Sequence, residues 1–511
     1  MRIFPFLKDD GRRTEQYIVN FRGINYAEGY TDGEFAATTN LSSEKYPCIA
    51  PRRERVKVGQ YSAPTTIHTK EGLLVVDGTK VIYDGKEVGT VTEGKKQIAT
   101  VGNFICIFPD KMYYNTMDNT FQSMEASYAA SGLVFTDHTI TTTVDDFPFR
   151  VGDAVEIAGC TVVDENGKTN NKTPIIRGVE GKVLTFYENT LVPGTESGEV
   201  TLKRSIPDLD YICESNYRLW GTKGNSIYGS RYGDPLNFAH FDGLAGDSYS
   251  IDVGSEGVFT GCFPYSAHIC FFKENTRHKL YGTKPSNFQL VNSAVYGVQE
   301  GCERSLAIVN ERLLYKGVHG IYAYAGGIPE LLTECFGTKR FSDANAACDG
   351  ERYYISMQSG GKWEMYVYDV LKDIWLREDD THAVDLTVHD GCVYYIDHEG
   401  GLYRIDRETG RNNVEWSAEF CPFTETMDER KGYSRFNLRV EMAAGAWLRV
   451  DVMTEHDRTW KCVHTTHNER ARIVSVPIIP TRCDCVRIRL RGKGDCTVKA
   501  FVREFTVMSD V

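Results

Sequence analysis

The sequence predicts an all-β protein, and three observations carry that prediction: a hairpin pattern that repeats along the chain, an aromatic-rich composition, and many glycines at turn positions. Of the 511 residues, 29 are Tyr and 25 are Phe, side chains that favour the half-buried, pleated surface of a sheet. The 47 Gly residues suit a chain with many tight turns. A chain of this length exceeds what one core organises, so several domains are expected.

The hairpins form a series. Gly72–Lys86, Gly102–Asn119, Asn216–Asp234, His268–Gly282, Glu311–Gly327, Glu351–Trp375 and Gly391–Asp406 each read as an apolar strand, a short polar turn and a second, Tyr-rich strand. Alternation bounded by Gly, Asn or Asp is the mark of a β-hairpin. One insertion apart, they recur every ~30–45 residues, the size of a propeller blade, whose four strands bury their faces only by stacking on neighbours. The series therefore predicts a β-propeller of about seven blades.

The remaining segments complete the plan. Residues 1–60 read as an extended N-terminal segment, with 61–134 and 205–411 as the two parts of the propeller. Residues 135–204 interrupt it with short alternating strands and Gly-Asp, Asn-Asn and Glu-Gly turns, as expected of a small inserted β-barrel or sandwich. A surface insertion of that size is tolerated and commonly serves contact with something else. Residues 412–511 hold six or more strands at roughly ten-residue spacing, which predicts an antiparallel β-sandwich.

Charge is unevenly placed. The chain carries 58 Lys+Arg against 70 Asp+Glu, a formal charge of −12. Residues 1–60 hold 10 against 8 and residues 412–511 hold 16 against 14, leaving 32 against 48, or −16, for residues 61–411. Such a body lacks the basic face that ordinary nucleic-acid binding requires. It suits a surface past which DNA slides without sticking, because like charge repels phosphate. Arg487, Arg489 and Arg491 alternate with Val486, Ile488 and Leu490, placing an arginine ladder on one strand face. Arg52, Arg53 and Arg55 form a second basic run. A solvated face is the default for both; contact with an acidic neighbouring subunit is the functional reading, and these six are the candidate interface residues.

No catalytic, cofactor or metal site is expected. The chain has no G-x-S-x-G elbow, Walker loop, HExxH or dinucleotide fingerprint. His464 and His467 are three apart, a spacing that does not converge two ligands on a strand. Asp145–Asp146 and Asp379–Asp380 fall in turn-like text, where Asp is expected anyway. Fifteen Cys without a CxxC pair read as buried free thiols of a reducing cytoplasm. No stretch has the apolar length of a signal peptide or a membrane span. The rival reading is a glycan-binding or glycan-cleaving propeller contacting a host surface, which as a hydrolase would need two facing carboxylates.

The text from Tyr217 to Gly327, including GDPLNF at Gly233–Phe238, together with NLSSEKYPCIAPR near the start, resembles structural proteins of bacteriophage and prophage tails. It is similar to the propeller nozzle, or tail-hub, proteins of short-tailed phages, which stabilise packaged DNA. The resemblance covers roughly residues 30–410, and the C-terminal sandwich resembles the last domain of those proteins. It implies a virion tail component made in the host cytoplasm, and a subunit of a symmetric ring, a hexamer, around a DNA channel. Other tail or head–tail connector proteins are the implied partners, and the DNA would pass without sequence-specific binding.

Overall fold

In the computed structural model of the chain, the residues described are 13–406, 412–425, 429–470, 472–479 and 482–508. The regular structure is strand apart from three short 3-10 turns among these residues. No helix is long and apolar enough to cross a membrane among them.

Seven four-stranded antiparallel sheets follow one another among the described residues, six of them with neighbouring strands in sequence order. Six are local, spanning residues 64–90, 97–123, 211–252, 261–293, 307–331 and 342–379. The seventh takes Ala383–His389, Cys392–Asp397 and Gly401–Ile405 from one stretch and its fourth strand, Arg55–Gln60, from near the N-terminus. All seven expected hairpins lie within these sheets. Phe271, Phe272, Leu313, Leu314, Tyr353 and Tyr354 are buried although neighbours on a strand point to opposite faces. A strand buried on both sides needs cover on both sides.

The chain divides into two compact units. The first comprises residues 62–303 with 316–318, and the second comprises the remainder. In the first, successive sheets pack face to face. Val76, Val81, Ile105 and Tyr114 fill the space between the first and second sheets. Cys106, Tyr113, Ile212 and Leu219 fill that between the second and third, and Trp220, Ile227, Ile269 and Phe271 that between the third and fourth. In the other unit Tyr354, Val367, Leu386 and Tyr395 join the sixth sheet to the seventh.

Between the second and third sheets the chain builds a six-stranded antiparallel sheet from Ala126 to Arg204. Its long pair, Ala126–Phe135 and Gly194–Arg204, runs in register except for a shift between Ser131 and Leu133. Gly132, at φ +76°, sits in that bulge. The bulge breaks the alternation, which is why the sequence places the start of the insertion at 135 and the structure places its first strand nine residues earlier. The outer edges of the sheet meet through an Ala154–Ile175 bridge and a hydrogen bond from Ile157 N to Lys172 O at 2.9 Å. Leu133, Ile140, Val155, Leu184, Val200 and Leu202 form its core.

The C-terminal region holds two sheets around one core of Trp416, Phe420, Phe436, Leu448, Ile488 and Phe501, among others. Strands of the N-terminal extended segment complete these two sheets. Thr14–Ile18 pairs with Cys496–Met508, and Glu34–Thr39 pairs with Glu415–Phe420. Each supplies the amide and carbonyl partners that an edge strand would otherwise leave unpaired. Gly492 shows the tightness of the fit: an added Cβ would meet the Trp416 ring at 2.5 Å.

Candidate functional site

The arginine ladder lies on strand Val486–Lys493, whose burial alternates as the sequence predicts: Val486, Ile488 and Leu490 are in the core. Its strand neighbour Trp447–Thr454 sets Arg489 opposite Asp451 and Arg491 opposite Arg449. Asp451 is fully buried beneath three guanidinium groups. Arg449 Nε donates to Asp451 Oδ1 at 2.6 Å, and Arg489 Nη2 and Arg491 Nε approach Oδ2 at 3.1 and 2.8 Å. Burial opposes ionisation of this carboxyl, but hydrogen bonds from Arg449 and Arg489 and the charge of Arg491 outweigh it and hold the pKa below the usual range. Arg487 pairs with Glu419, and Arg487 and Arg489 lie over the Trp460 ring at 5.5 and 4.4 Å.

The basic run is likewise spoken for. Arg55 reaches Glu378 at 2.6 Å and Asp379 at 3.1 Å, and its guanidinium lies 5.2 Å above the Tyr395 ring. Arg52 donates to Asp379 at 3.1 Å and Arg53 pairs with Asp495 at the same distance. Burial works against ionised Asp379, yet the charges of Arg55 and Arg52 prevail and lower its pKa. Asp379 therefore ends a strand inside an ion-pair cluster, where the sequence suggested a turn. All six candidate interface residues meet carboxylates of their own chain. A cation paired with a carboxylate of its own chain has less charge to offer a neighbour.

Beside Arg52 and Arg55 lies an open cleft of ≈470 Å³ whose walls include Glu54, Asp380, His382, Tyr395 and Glu399. His382 stacks on Trp363 at 3.9 Å and 9°, with His398 stacked beyond it at 5.4 Å. Several carboxylates here have backbone work: Glu54 accepts from Asn413 N at 2.9 Å, and Asp397 accepts from Gly401 N at 2.7 Å. Among the described residues no group of three or more His, Cys, Asp or Glu side chains is arranged to hold a metal.

The GDPLNF turn anchors the inserted sheet. Arg150 Nη2 approaches Asp234 Oδ1 at 3.4 Å, and Arg231 Nη1 donates to Gly152 O at 3.4 Å. Asn237 is bonded to both Asp153 and Ala154. Asp153, wholly buried, also takes Arg204 Nη1 at 2.5 Å. Nearby, Tyr217 is exposed on a hairpin tip at φ +57°, its ring edge-on to exposed Tyr232 at 5.9 Å.

No protein-family model matches the chain, and no curated protein matches it. Among solved structures it is similar to BamB from Moraxella catarrhalis, at 10% identity and a TM-score of 0.34, over 70% of this chain and 97% of that one. It is similar also to the N-terminal domain of Nup159, at 10% identity and 0.23, over 76% and 99% of the two chains. A third is an exo-β-1,3-galactanase from Phanerochaete chrysosporium, at 8% and 0.22, over 56% and 92%. Likenesses of this size assign no activity, substrate or partner.

Sequence reasoning found the arginines and missed what holds them. Asp451, Glu419 and Glu378 each lie on a different strand from the candidate arginines they meet, Arg489 and Arg491, Arg487, and Arg55. The alternation of Val450, Val452 and Asp451 marks Asp451 as sharing a face with Arg449, but nothing local says that Arg489 and Arg491 cover it too.

Proposed function

We propose that the chain is a structural component of a bacteriophage tail, a nozzle or hub subunit that closes with its copies into a ring around the DNA channel. In this reading it helps retain and deliver the genome, and its strand sheets form a closed seven-bladed propeller. The observation that carries the architectural part is the seventh sheet, completed by Arg55–Gln60 from the opposite end of the chain. A strand exchanged in that way ties the last blade of a ring to the first. The functional part rests on the resemblance of residues 217–327 to tail proteins and on the −16 charge of residues 61–411. A basic lining would trap a genome through many phosphate contacts, and an acidic one lets it pass. Ring closure requires two different surface patches on each subunit. Since the arginine clusters are internally paired, the inserted sheet and the exposed Tyr217–Tyr232 pair are the better places to look for such patches.

A glycan-binding or glycan-cleaving role is the second reading. What favours it is the cleft beside Arg52, with its ring walls and its carboxylates Glu54, Asp380 and Glu399. Quantitative mass spectrometry of particles purified from the producing host separates the two. The tail reading expects this chain at a fixed ratio of several copies per particle. A chain absent from purified particles, with sugar released from host polysaccharide by the isolated protein, replaces it with the second reading.

A further inference from the structure

Cys213 and Cys262 stand on facing surfaces of the third and fourth sheets. Cys213 belongs to Tyr211–Ser215, the first strand of its sheet, and Cys262 to Gly261–Tyr265, the first strand of the next. Alternation fixes which way each points. Ile212 and Leu219 pack towards the second sheet, whereas Cys213 and its cross-strand partner Trp220 pack towards the fourth. In the fourth sheet Cys262 lies across from Phe271, on the face turned back towards the third. The two ring partners, Trp220 and Phe271, meet at a centroid distance of 6.3 Å. The thiols beside them belong to the same buried cluster between the two sheets, and their two strands run close together. Cys270, although close in sequence, pairs across from Phe263 and so faces the other way.

We propose that Cys213 and Cys262 form a redox-operated staple between the two sheets, open as thiols and closed as a disulfide by exchange with a low-molecular-weight disulfide such as oxidised glutathione. The chemistry takes two exchanges. One protein thiolate attacks a glutathione sulfur, giving a protein–glutathione mixed disulfide and releasing one glutathione thiol. The second protein thiol, on losing its proton, attacks the protein sulfur of that mixed disulfide. The Cys213–Cys262 bond forms, and the second glutathione leaves and takes up a proton. Two protein thiols are thereby oxidised, and one glutathione disulfide is reduced to two thiols.

A disulfide closes where the two Cα atoms come within about 7 Å, which the close approach of these two first strands favours. Both residues are buried, and the neighbouring Cys262 thiol followed by burial holds the Cys213 thiol well above its ordinary pKa. Attack therefore waits on transient opening, so closure is slow and, once made, protected. A chain leaving a reducing compartment would gain a covalent tie between two sheets otherwise joined by packing and by hydrogen bonds such as Lys273 Nζ to Asn225 Oδ1 at 2.8 Å. The inference stands apart from the tail reading, since it depends only on these two strands.

The test uses the full chain incubated with oxidised glutathione, alkylated, digested and mapped. A dithiothreitol-reversible peptide linking Cys213 to Cys262 is expected, with the thermal midpoint of the oxidised protein raised by roughly 2–8 °C. Exposed Cys462 serves as the reactivity control, because it should acquire glutathione under the same conditions. Cys262→Ala should lose the link, and Cys270→Ala should keep it. A map in which Cys213 remains a free thiol after Cys462 is fully modified, or in which it links to Cys270, overturns the proposal.

Discussion

Asn237 reaches Asp153 across 84 residues of sequence and grips its neighbour as well: Asn237 Nδ2 donates to Asp153 Oδ1 at 3.3 Å, and Asn237 Oδ1 accepts from Ala154 N at 3.1 Å. The first residue lies in the turn after the third sheet's third strand, and the second in the inserted sheet. Both are buried. Asn237→Leu should leave buried Ala154 N without its acceptor and remove one of several donors to Asp153, at a cost of about 1–3 kcal/mol. The loss should be local. Hydrogen exchange should accelerate across residues 126–204 while the sixth and seventh sheets keep their protection.

Asp451 makes the C-terminal sandwich sensitive to acid. Its folded pKa lies below the usual carboxylate range, so its stabilisation is complete above the unfolded value of about 3.9 and is lost as pH falls through the folded value. Asp451→Asn should cost about 3 kcal/mol at neutral pH by leaving three guanidinium groups without their shared anion. The variant should also show a flatter fall of thermal midpoint below about pH 4 than the parent. The same geometry makes Arg489→Glu with Arg491→Glu a folding lesion, because it sets two new carboxylates against a buried one.

His268 adds a second loss of stability on acidification, at higher pH and from a different cause. Burial, followed by the nearby charges of Lys279 and Arg277, lowers its pKa to about 4. The ring stays neutral in the folded chain while an unfolded one would take a proton below about pH 6.5. Stability should therefore fall as pH drops from about 6.5 towards 4, and level off below, by on the order of 2 kcal/mol. His268→Phe keeps a ring against Tyr265 and Tyr281 and should flatten denaturant midpoints across that window.

Arg503 is fully buried in the C-terminal core. It reaches Glu425 and Asp32 at 2.6 Å each, and its guanidinium lies 3.8 Å from the Phe423 ring centroid. Arg503→Met should cost about 3–5 kcal/mol by stranding buried Glu425. Arg503→Lys should recover only part of that, since an ammonium cannot bridge both carboxylates while stacking on a ring. Urea unfolding followed by Trp fluorescence measures both.

Local signals made the hairpins legible. Leu73 to Tyr83 and Val393 to Tyr403 alternate around glycine turns, so strand, turn and partner lie within one short window. The distant pairings left no such trace. Thr14 pairs with Phe505 and Arg55 with Ile405, and a five- or six-residue polar strand looks extended whichever partner it finds. The candidate site was legible to the same depth. Arg487, Arg489 and Arg491 do share a face, as alternation requires, but whether that face is free depends on Asp451 and Glu419, which only the register of neighbouring strands brings beneath it.

Assembly into a ring is the central claim, and electron microscopy of the purified full-length chain tests it most directly. Single-particle images across a range of protein concentrations and two ionic strengths should show closed rings of one fixed copy number with an open axial channel. Each subunit should contain a closed propeller of seven four-stranded blades, with Arg55–Gln60 as the last strand. A protein that remains monomeric at every concentration, or one whose sheets open into a sandwich instead of closing on themselves, would contradict the account.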